Sequence, residues 1–170
     1  MDDIFRLGII SDSHLLDLSA AIDLASSLIG GPFAEVDCIL HAGDMVIADF
    51  ESCFNDIPCY SVQGNMDAPR LDLPLTRIIE IAGHRIGLIH GWGPPHAVAK
   101  NVLSEFDNEN IDLLIFGHSH TPYKAFHGRT LLFNPGSATD HRGHAESCSV
   151  GLIEIGQVIT ARHIPFEQSS

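Results

Sequence analysis

A chain of 170 residues can build one substantial hydrophobic core but not two comfortable ones, so positions 1–170 are read as a single domain. With 45% hydrophobic and 18% charged residues, the composition is that of a globular protein rather than a disordered one. Nine Lys and Arg against 22 Asp and Glu give a net charge of −13, which argues against non-specific nucleic-acid or anionic-membrane binding.

Any phosphate-bearing ligand must therefore be attracted locally, and bound cations are the obvious means. Cys38, Cys53, Cys59 and Cys148 form no Cys-x-x-Cys pair and read as small buried hydrophobes. The N-terminus has no basic-then-apolar secretion pattern, and no apolar run approaches the roughly 18 residues of a membrane span. The expectation is a cytoplasmic protein without membrane contact.

Arg6 to Ile10 is a short, partly β-branched run that ends at Ser11-Asp12-Ser13-His14, the pattern of a buried strand delivering polar residues at its end. Leu18 to Ile29 reads as a helix, with Ser19 as N-cap and Gly30-Gly31-Pro32 as its stop. Asp37 to Ala42 is a strand ending in Gly43-Asp44, and a short helical stretch follows. Cys59 to Gln63 is a strand ending in Gly64-Asn65-Met66-Asp67. Thr76 to Ile81 and Arg85 to Ile89 flank Ala82-Gly83-His84 as a hairpin, before His90-Gly91. Pro95 to Asn108 reads as a helix, and Leu113 to Phe116 as a strand ending in Gly117-His118-Ser119-His120. Further strands are read near Tyr123 to His127, Thr130 to Phe133, Ser147 to Ile155 and Val158 to Ile164. The implied architecture is a layered α/β/β/α sandwich of two mixed sheets.

Five strand ends carry metal-ligand types: Asp12 and His14, Asp44, Asn65, His90, and His118 with His120. In extended chain, residues i and i+2 point the same way, so each of the two spaced pairs would face one pocket. Imidazole and carboxylate suit borderline divalent ions. Seven ligands exceed one tetrahedral ion and suit two ions of higher coordination, with a carboxylate bridging them. Singly, each residue has a structural explanation as a cap, a turn residue or a core histidine. Jointly, at the strand ends where α/β sites lie, they read as a metal centre.

Asp12-x-His14, Gly43-Asp44, Gly64-Asn65-x-Asp67, His90-Gly91 and Gly117-His118-x-His120 resemble, in order and in spacing, the calcineurin-like metallophosphoesterase superfamily. The short chain and Asn134-Pro135-Gly136-Ser137 look most like its small bacterial and archaeal phosphodiesterase branch. The resemblance runs from Ile9 to about Gly143. It implies one metal held by Asp12, His14 and His120, a second by Asn65, His90 and His118, and Asp44 bridging both. Mn²⁺ heads the candidates, with Fe²⁺, Ni²⁺, Co²⁺ and Zn²⁺ as alternatives. Asp44, Asn65 and Asp67 are the candidate catalytic residues and Asn65 a candidate for binding substrate; Arg142, in the loop Thr139 to His144, is a second by its own chemistry, since a guanidinium suits a substrate phosphate, and reads equally as a solvated loop arginine. The reaction implied is hydrolysis of a small phosphodiester by a hydroxide bridging the two ions.

One position departs from the family pattern. Larger relatives carry a histidine directly after Gly-Asn, and here it is Met66, whose thioether has no proton to donate. A missing general acid costs on the order of 10²- to 10⁴-fold for a poor leaving group, so diesters with acidic leaving groups are the expected substrates. His141 and His144 are candidates to replace that acid, Asp67 is read equally as a cap or as a residue orienting a ligand, and Trp92 is read as packing or as a stacking surface. The competing readings are a phosphomonoesterase and a non-catalytic assembly scaffold like the retromer subunit of this fold. Small enzymes of this kind often assemble, which leaves a homo-oligomer open.

Overall fold

Short β-branched runs separated by Gly- and Asp-rich ends can bury both faces only by stacking, and in the computed structural model they do so as two five-stranded sheets. Residues 4–69, 72–143 and 145–168 are described. One sheet has the order β10-β9-β1-β2-β3, from Ile159–Pro165, Ser149–Ile155, Phe5–Ile10, Cys38–His41 and Cys59–Ser61. The other has the order β4-β5-β6-β8-β7, from Thr76–Ile81, His84–Ile89, Leu113–Ile115, Thr130–Asn134 and Tyr123–His127.

Each sheet is mixed. In the first, β1, β2 and β3 run parallel and β9 lies antiparallel to β1. In the second, β5, β6 and β8 run parallel, with β4 and β7 antiparallel at the edges. The two parallel trios therefore open their carboxyl ends onto a common rim, where ligands of such sheets collect.

Between the sheets, Leu7, Ile9, Leu40 and Val62 meet Ile86, Leu88, Ile115 and Phe133 in one buried cluster. On the outer side of the first sheet, helix α1 (Leu18–Ile29) and a 3-10 helix over Ala48–Phe54 cover Ile10, Ile39 and Val150 with Leu24, Leu28, Phe50 and Phe54. Helix α2 (Pro95–Glu105) covers the second sheet, where Val98 and Val102 pack on Leu114, Phe116 and Leu132. The layers are α/β/β/α, as the sequence pattern implied.

The boundaries differ in physically interpretable ways. Asp17, rather than Ser19, caps α1, its Oδ1 accepting the Ala20 amide at 2.9 Å. The β4–β5 turn has two residues, because Ile81 pairs with His84 while Ala82 and Gly83 take φ of 49° and 79°, the mirror-image turn that matches strand twist. Helix α2 stops three residues early, at Glu105 rather than Asn108. None of the described helices is long and apolar enough to cross a membrane.

Candidate metal centre

All seven residues expected at the centre lie on the shared rim. Asp12 and His14 follow β1, Asp44 follows β2, Asn65 follows β3, His90 follows β5, and His118 and His120 follow β6. The two spaced pairs do not converge by strand alternation, which corrects the extended-chain expectation. Asp12, His14, His118 and His120 have φ of 53°, 40°, 67° and 56°, and Asp44 has 58°. Left-handed backbone at a non-glycine residue costs about 1–2 kcal/mol, so five bulky ligand types share one strained conformation. The loops are held there by each other: Asp12 N–H donates to Gly43 O at 3.0 Å, His14 N–H to Asp44 O at 2.9 Å, and Gly117 N–H to His90 O at 3.0 Å.

Three imidazoles are tied outward to main-chain carbonyls. His90 Nδ1 lies 2.7 Å from Ala42 O, His118 Nε2 lies 3.1 Å from Gly93 O, and His120 Nδ1 bonds Asp140 O. A carbonyl only accepts, so each of those nitrogens bears the proton and the other nitrogen turns its lone pair inward. The inward atoms cluster. His120 Nε2 is 3.1 Å from His14 Nε2 and 3.4 Å from Asp12 Oδ1. His90 Nε2 is 3.3 Å from Asp44 Oδ2 and 3.9 Å from Asp12 Oδ1, and Asn65 Oδ1 stands 3.1 Å from both His90 Nε2 and His118 Nδ1. Asp44 Oδ2 also reaches within 3.8 Å of His14 Nε2, which puts it between the two halves.

Asp12 carries the clearest test of whether a cation fits. Its Oδ2 accepts from Ser11 Oγ at 2.6 Å and from the His118 amide at 3.0 Å, whereas its Oδ1 is buried with no hydrogen-bond partner. A buried carboxylate oxygen left bare is costly unless a cation meets it. Two sets of donors, Asp12 with His14 and His120, and Asp12 with Asp44 and His90, each bring their ligating atoms within 4.8 Å of one another. The donor chemistry and the bare oxygen both fit a divalent ion.

Charge in the cluster is arranged for the same purpose. Burial alone would raise the Asp12 and Asp44 carboxyls, but the facing His120 and His90 imidazoles outweigh it and lower both. Burial alone would lower His90 and His120, and the facing carboxylates outweigh it and raise both. The carboxylates are thus held charged, and a positive charge facing them is favoured. His14 and His118 respond chiefly to burial and are lowered.

Around the ligand types runs a layer of polar clamps. Asp67, expected among the catalytic residues, is turned away from the ring nitrogens. Its Oδ2 accepts the Asp44 and Gly64 amides at 2.8 Å each, and its Oδ1 accepts the Val46 amide at 2.7 Å. Asn134 donates to Gly117 O at 2.8 Å and accepts the Gly136 amide at 2.9 Å. Ser137 Oγ donates to Asp12 O at 2.7 Å, and Thr139 Oγ1 to Ser13 O at 2.9 Å, so the Asn134-Pro135-Gly136-Ser137 segment runs beneath the centre. Two glycines admit no side chain: a Cβ on Gly64 would lie 2.2 Å from Asp44 Oδ1, and one on Gly117 would lie 1.8 Å from Ser11 Oγ.

Sequence reasoning missed His41, which reads as one more residue of a buried strand. Its Nδ1 accepts the Gly43 amide at 3.1 Å, which leaves Nε2–H to donate to Ser13 Oγ at 2.8 Å. Burial pulls its pKa down to about 4, so the ring is neutral at pH 7 and locks the Gly43 turn to the Asp12 loop.

The remaining candidates fall at the edge. Arg142 is exposed, 3.7 Å from Asp140 Oδ2, and its charge opposes protonation of His14 and His120. His141 Nδ1 accepts the Gly143 amide at 3.1 Å, while His144 lies outside the described residues. Met66 is 58% exposed, and only its amide is engaged, donating to Asp44 Oδ1 at 2.7 Å. Of the cysteines only Cys38 is buried, with its thiol pushed up to about 11, so the expectation of four buried thiols is corrected to one. A cavity of about 830 Å³ opens at the opposite, amino ends of β1 to β3, and its lining includes Cys38 but none of the seven ligand types.

Residues 5–157 match the calcineurin-like phosphoesterase superfamily domain. A probable metallophosphoesterase of Methanothermobacter thermautotrophicus is 36% identical over 78% of this chain and 77% of its own. One of Methanocaldococcus jannaschii is 34% identical over 95% and 82%. Among solved structures, a predicted phosphoesterase of Streptococcus pneumoniae superposes with a TM-score of 0.78 at 21% identity over 96% of this chain and 90% of that one. A structure described as a novel archaeal phosphodiesterase does so with 0.73 at 19%, over 94% and 99%. Vacuolar Protein Sorting 29 of Cryptosporidium parvum gives 0.67 at 18%, over 96% and 98%. With the profile spanning nearly the whole chain and relatives above 30% identity along most of it, this chain belongs to the calcineurin-like phosphoesterase superfamily and is a metal-dependent phosphoesterase.

Proposed function

We propose that the protein is a dinuclear phosphodiesterase acting on small diesters in the cytoplasm, as a single domain. Asp12, His14 and His120 would hold one ion and Asn65, His90 and His118 the other, with Asp44 Oδ2 between them and Mn²⁺ as the ion of first choice. The observation that carries this reading is the convergence of outward-anchored imidazoles on the bare Asp12 Oδ1. When bound, two such ions activate a water and neutralise charge on phosphoryl oxygens.

The chain supplies position. Asn65 presents Oδ1 to the imidazoles, which leaves its Nδ2 free to donate to a phosphoryl oxygen. Arg142, beside the His14 and His120 half, offers a second contact to the same group. Asp67 acts as a positioning residue, because both of its oxygens hold the amides of the Asp44 and Asn65 loops. Met66 provides no proton, which favours diesters whose leaving groups depart unaided. The fold is shared with a protein described as a phosphodiesterase and with sorting proteins, and an intact set of seven ligand types supports the enzyme over the assembly reading.

The test is hydrolysis of bis(4-nitrophenyl) phosphate and of 4-nitrophenyl phosphate by metal-stripped protein, with and without Mn²⁺, beside His120→Ala. Diester turnover that requires metal and disappears in the variant is expected. Faster monoester turnover would make it a phosphomonoesterase, and metal binding without any turnover would favour an assembly role.

A further inference from the structure

Beside the centre lies a groove of about 390 Å³ that the chemistry so far leaves unused. Asn65 and His90 form its inner rim, Leu75 and Trp92 its apolar walls, and Gln63 and Glu105 add polar edges. The volume falls in the lower part of the roughly 300–1,000 Å³ range of small-molecule pockets. Trp92 is 45% exposed and Leu75 is 68% exposed, an unusual outlay of apolar surface at the lip of a polar centre.

Trp92 is not a loosely placed side chain. Its carbonyl accepts from Asn101 Nδ2 at 2.9 Å, and the carbonyl of the next residue, Gly93, is what fixes the His118 ring. The indole is therefore carried on the same backbone stretch that orients a ligand type. Among the described residues it stacks on no other ring.

The two flanks of the centre differ. Arg142 stands by the His14 and His120 half and suits an anionic oxygen, while the groove by the Asn65 and His90 half is apolar with one carboxylate, Glu105, which repels a second phosphate. We infer that the groove is a subsite for a flat, uncharged, π-faced arm of the substrate, stacked on Trp92, with the phosphoryl group at the centre. A nucleobase and a simple aryl group share that chemistry. The inference rests on the phosphodiesterase reading for where the phosphoryl group sits, but it concerns binding and is read without turnover.

Trp92 is the only tryptophan in the chain, so its emission reports directly on the groove. The experiment titrates Mn²⁺-loaded protein with adenosine 5′-monophosphate, phenyl phosphate and ribose 5-phosphate, following fluorescence and calorimetry. The adenosine compound should quench Trp92 saturably and bind roughly tenfold tighter than ribose 5-phosphate, the scale of one base stacked on an aromatic side chain. Trp92→Phe should keep most of that ratio and Trp92→Ala should bring it close to one. Unchanged binding of ribose 5-phosphate would show that each variant's centre is intact. A gain confined to the adenosine compound assigns the groove to a nucleobase, and one shared by phenyl phosphate assigns it to any flat aryl arm. Equal affinities in the unmodified protein, or a ratio that survives Trp92→Ala, overturn the subsite even if diesters are hydrolysed. Quenching without hydrolysis leaves the subsite standing and removes the phosphodiesterase reading instead.

Discussion

Met66 sits next to Asn65 with its side chain in solvent, so the position can accept an imidazole without repacking the core. If the lack of a proton donor there limits the reaction, Met66→His should raise kcat for a dialkyl phosphodiester, whose leaving group is an alkoxide, by tenfold or more. It should do little for bis(4-nitrophenyl) phosphate. Equal effects on both would mean that the histidine acts on binding rather than on the leaving group. Asp67 has a different importance. Replacing it by Asn turns an amide N–H toward backbone donors at Asp44, Gly64 or Val46, at a cost of about 2–4 kcal/mol. Metal affinity should fall about 10- to 100-fold, as it does when residues supporting a ligand are lost. Urea unfolding of the metal-free variant and calorimetric Mn²⁺ titration would read the two effects separately.

The candidate centre was largely legible at this scale because ligand chemistry is local: Asp, Asn and His each announce themselves at a strand end. What supports them was not. His41 lies in an apolar strand, and only the fold reveals that it bridges the Gly43 amide and Ser13. Likewise, the left-handed backbone at Asp12, His14, His118 and His120 leaves no mark in a sequence read by strand alternation, because tertiary bonds between loops impose it.

Among the elements, strands were easier to place than their ends. The hairpin of β4 and β5 was found, but its turn was read one residue too long. The signal Ala82-Gly83-His84 does not say which residue resumes pairing, and the mirror-image turn decides it. Helix α1 was found with matching bounds, since its apolar spacing is regular, but its cap was misplaced. Asp17 and Ser19 are both good caps, and the 2.9 Å bond from the Ala20 amide selects Asp17. Asp17→Ala should therefore lower stability by about 1 kcal/mol in a urea melt while leaving diester turnover unchanged, whereas Ser19→Ala should change neither stability nor turnover. A matching loss in both variants would mean that the end of α1 frays. Side-chain pattern named each strand, but the pairing of the two parallel trios across separate sheets came from packing alone.

For the whole molecule, acidity is the natural stress once metal is removed. The pKa of His41 drops from 6.5 to about 4 on folding, so between those values the unfolded chain binds the extra proton and acid favours unfolding. His14 and His118 are lowered as well and act in the same sense. The raised His90 and His120 contribute stability fully below pH 6.5, lost only as pH climbs through their folded values, so they do not offset this. Metal-free protein should lose on the order of 3 kcal/mol from His41 between pH 6.5 and pH 4. Denaturant melts across that window would show it, and His41→Asn should flatten the slope.

The outward anchoring of the imidazoles has a kinetic side. His90, after β5, is tied to the end of β2 in the other sheet, while His118 and His120, after β6, are tied to the loops that follow the flanking strands β5 and β8, so one ligand type is aimed by backbone from the other sheet and two by neighbouring loops of their own. Such a centre exists only after the two sheets have closed on each other. Divalent ions should then leave the refolding rate nearly unchanged and slow unfolding by about the factor by which they stabilise the protein, roughly 100-fold at a hundred times their Kd. Stopped-flow chevrons with and without Mn²⁺ would show one limb displaced and the other superimposed, which makes bound metal a determinant of how long a folded molecule lasts.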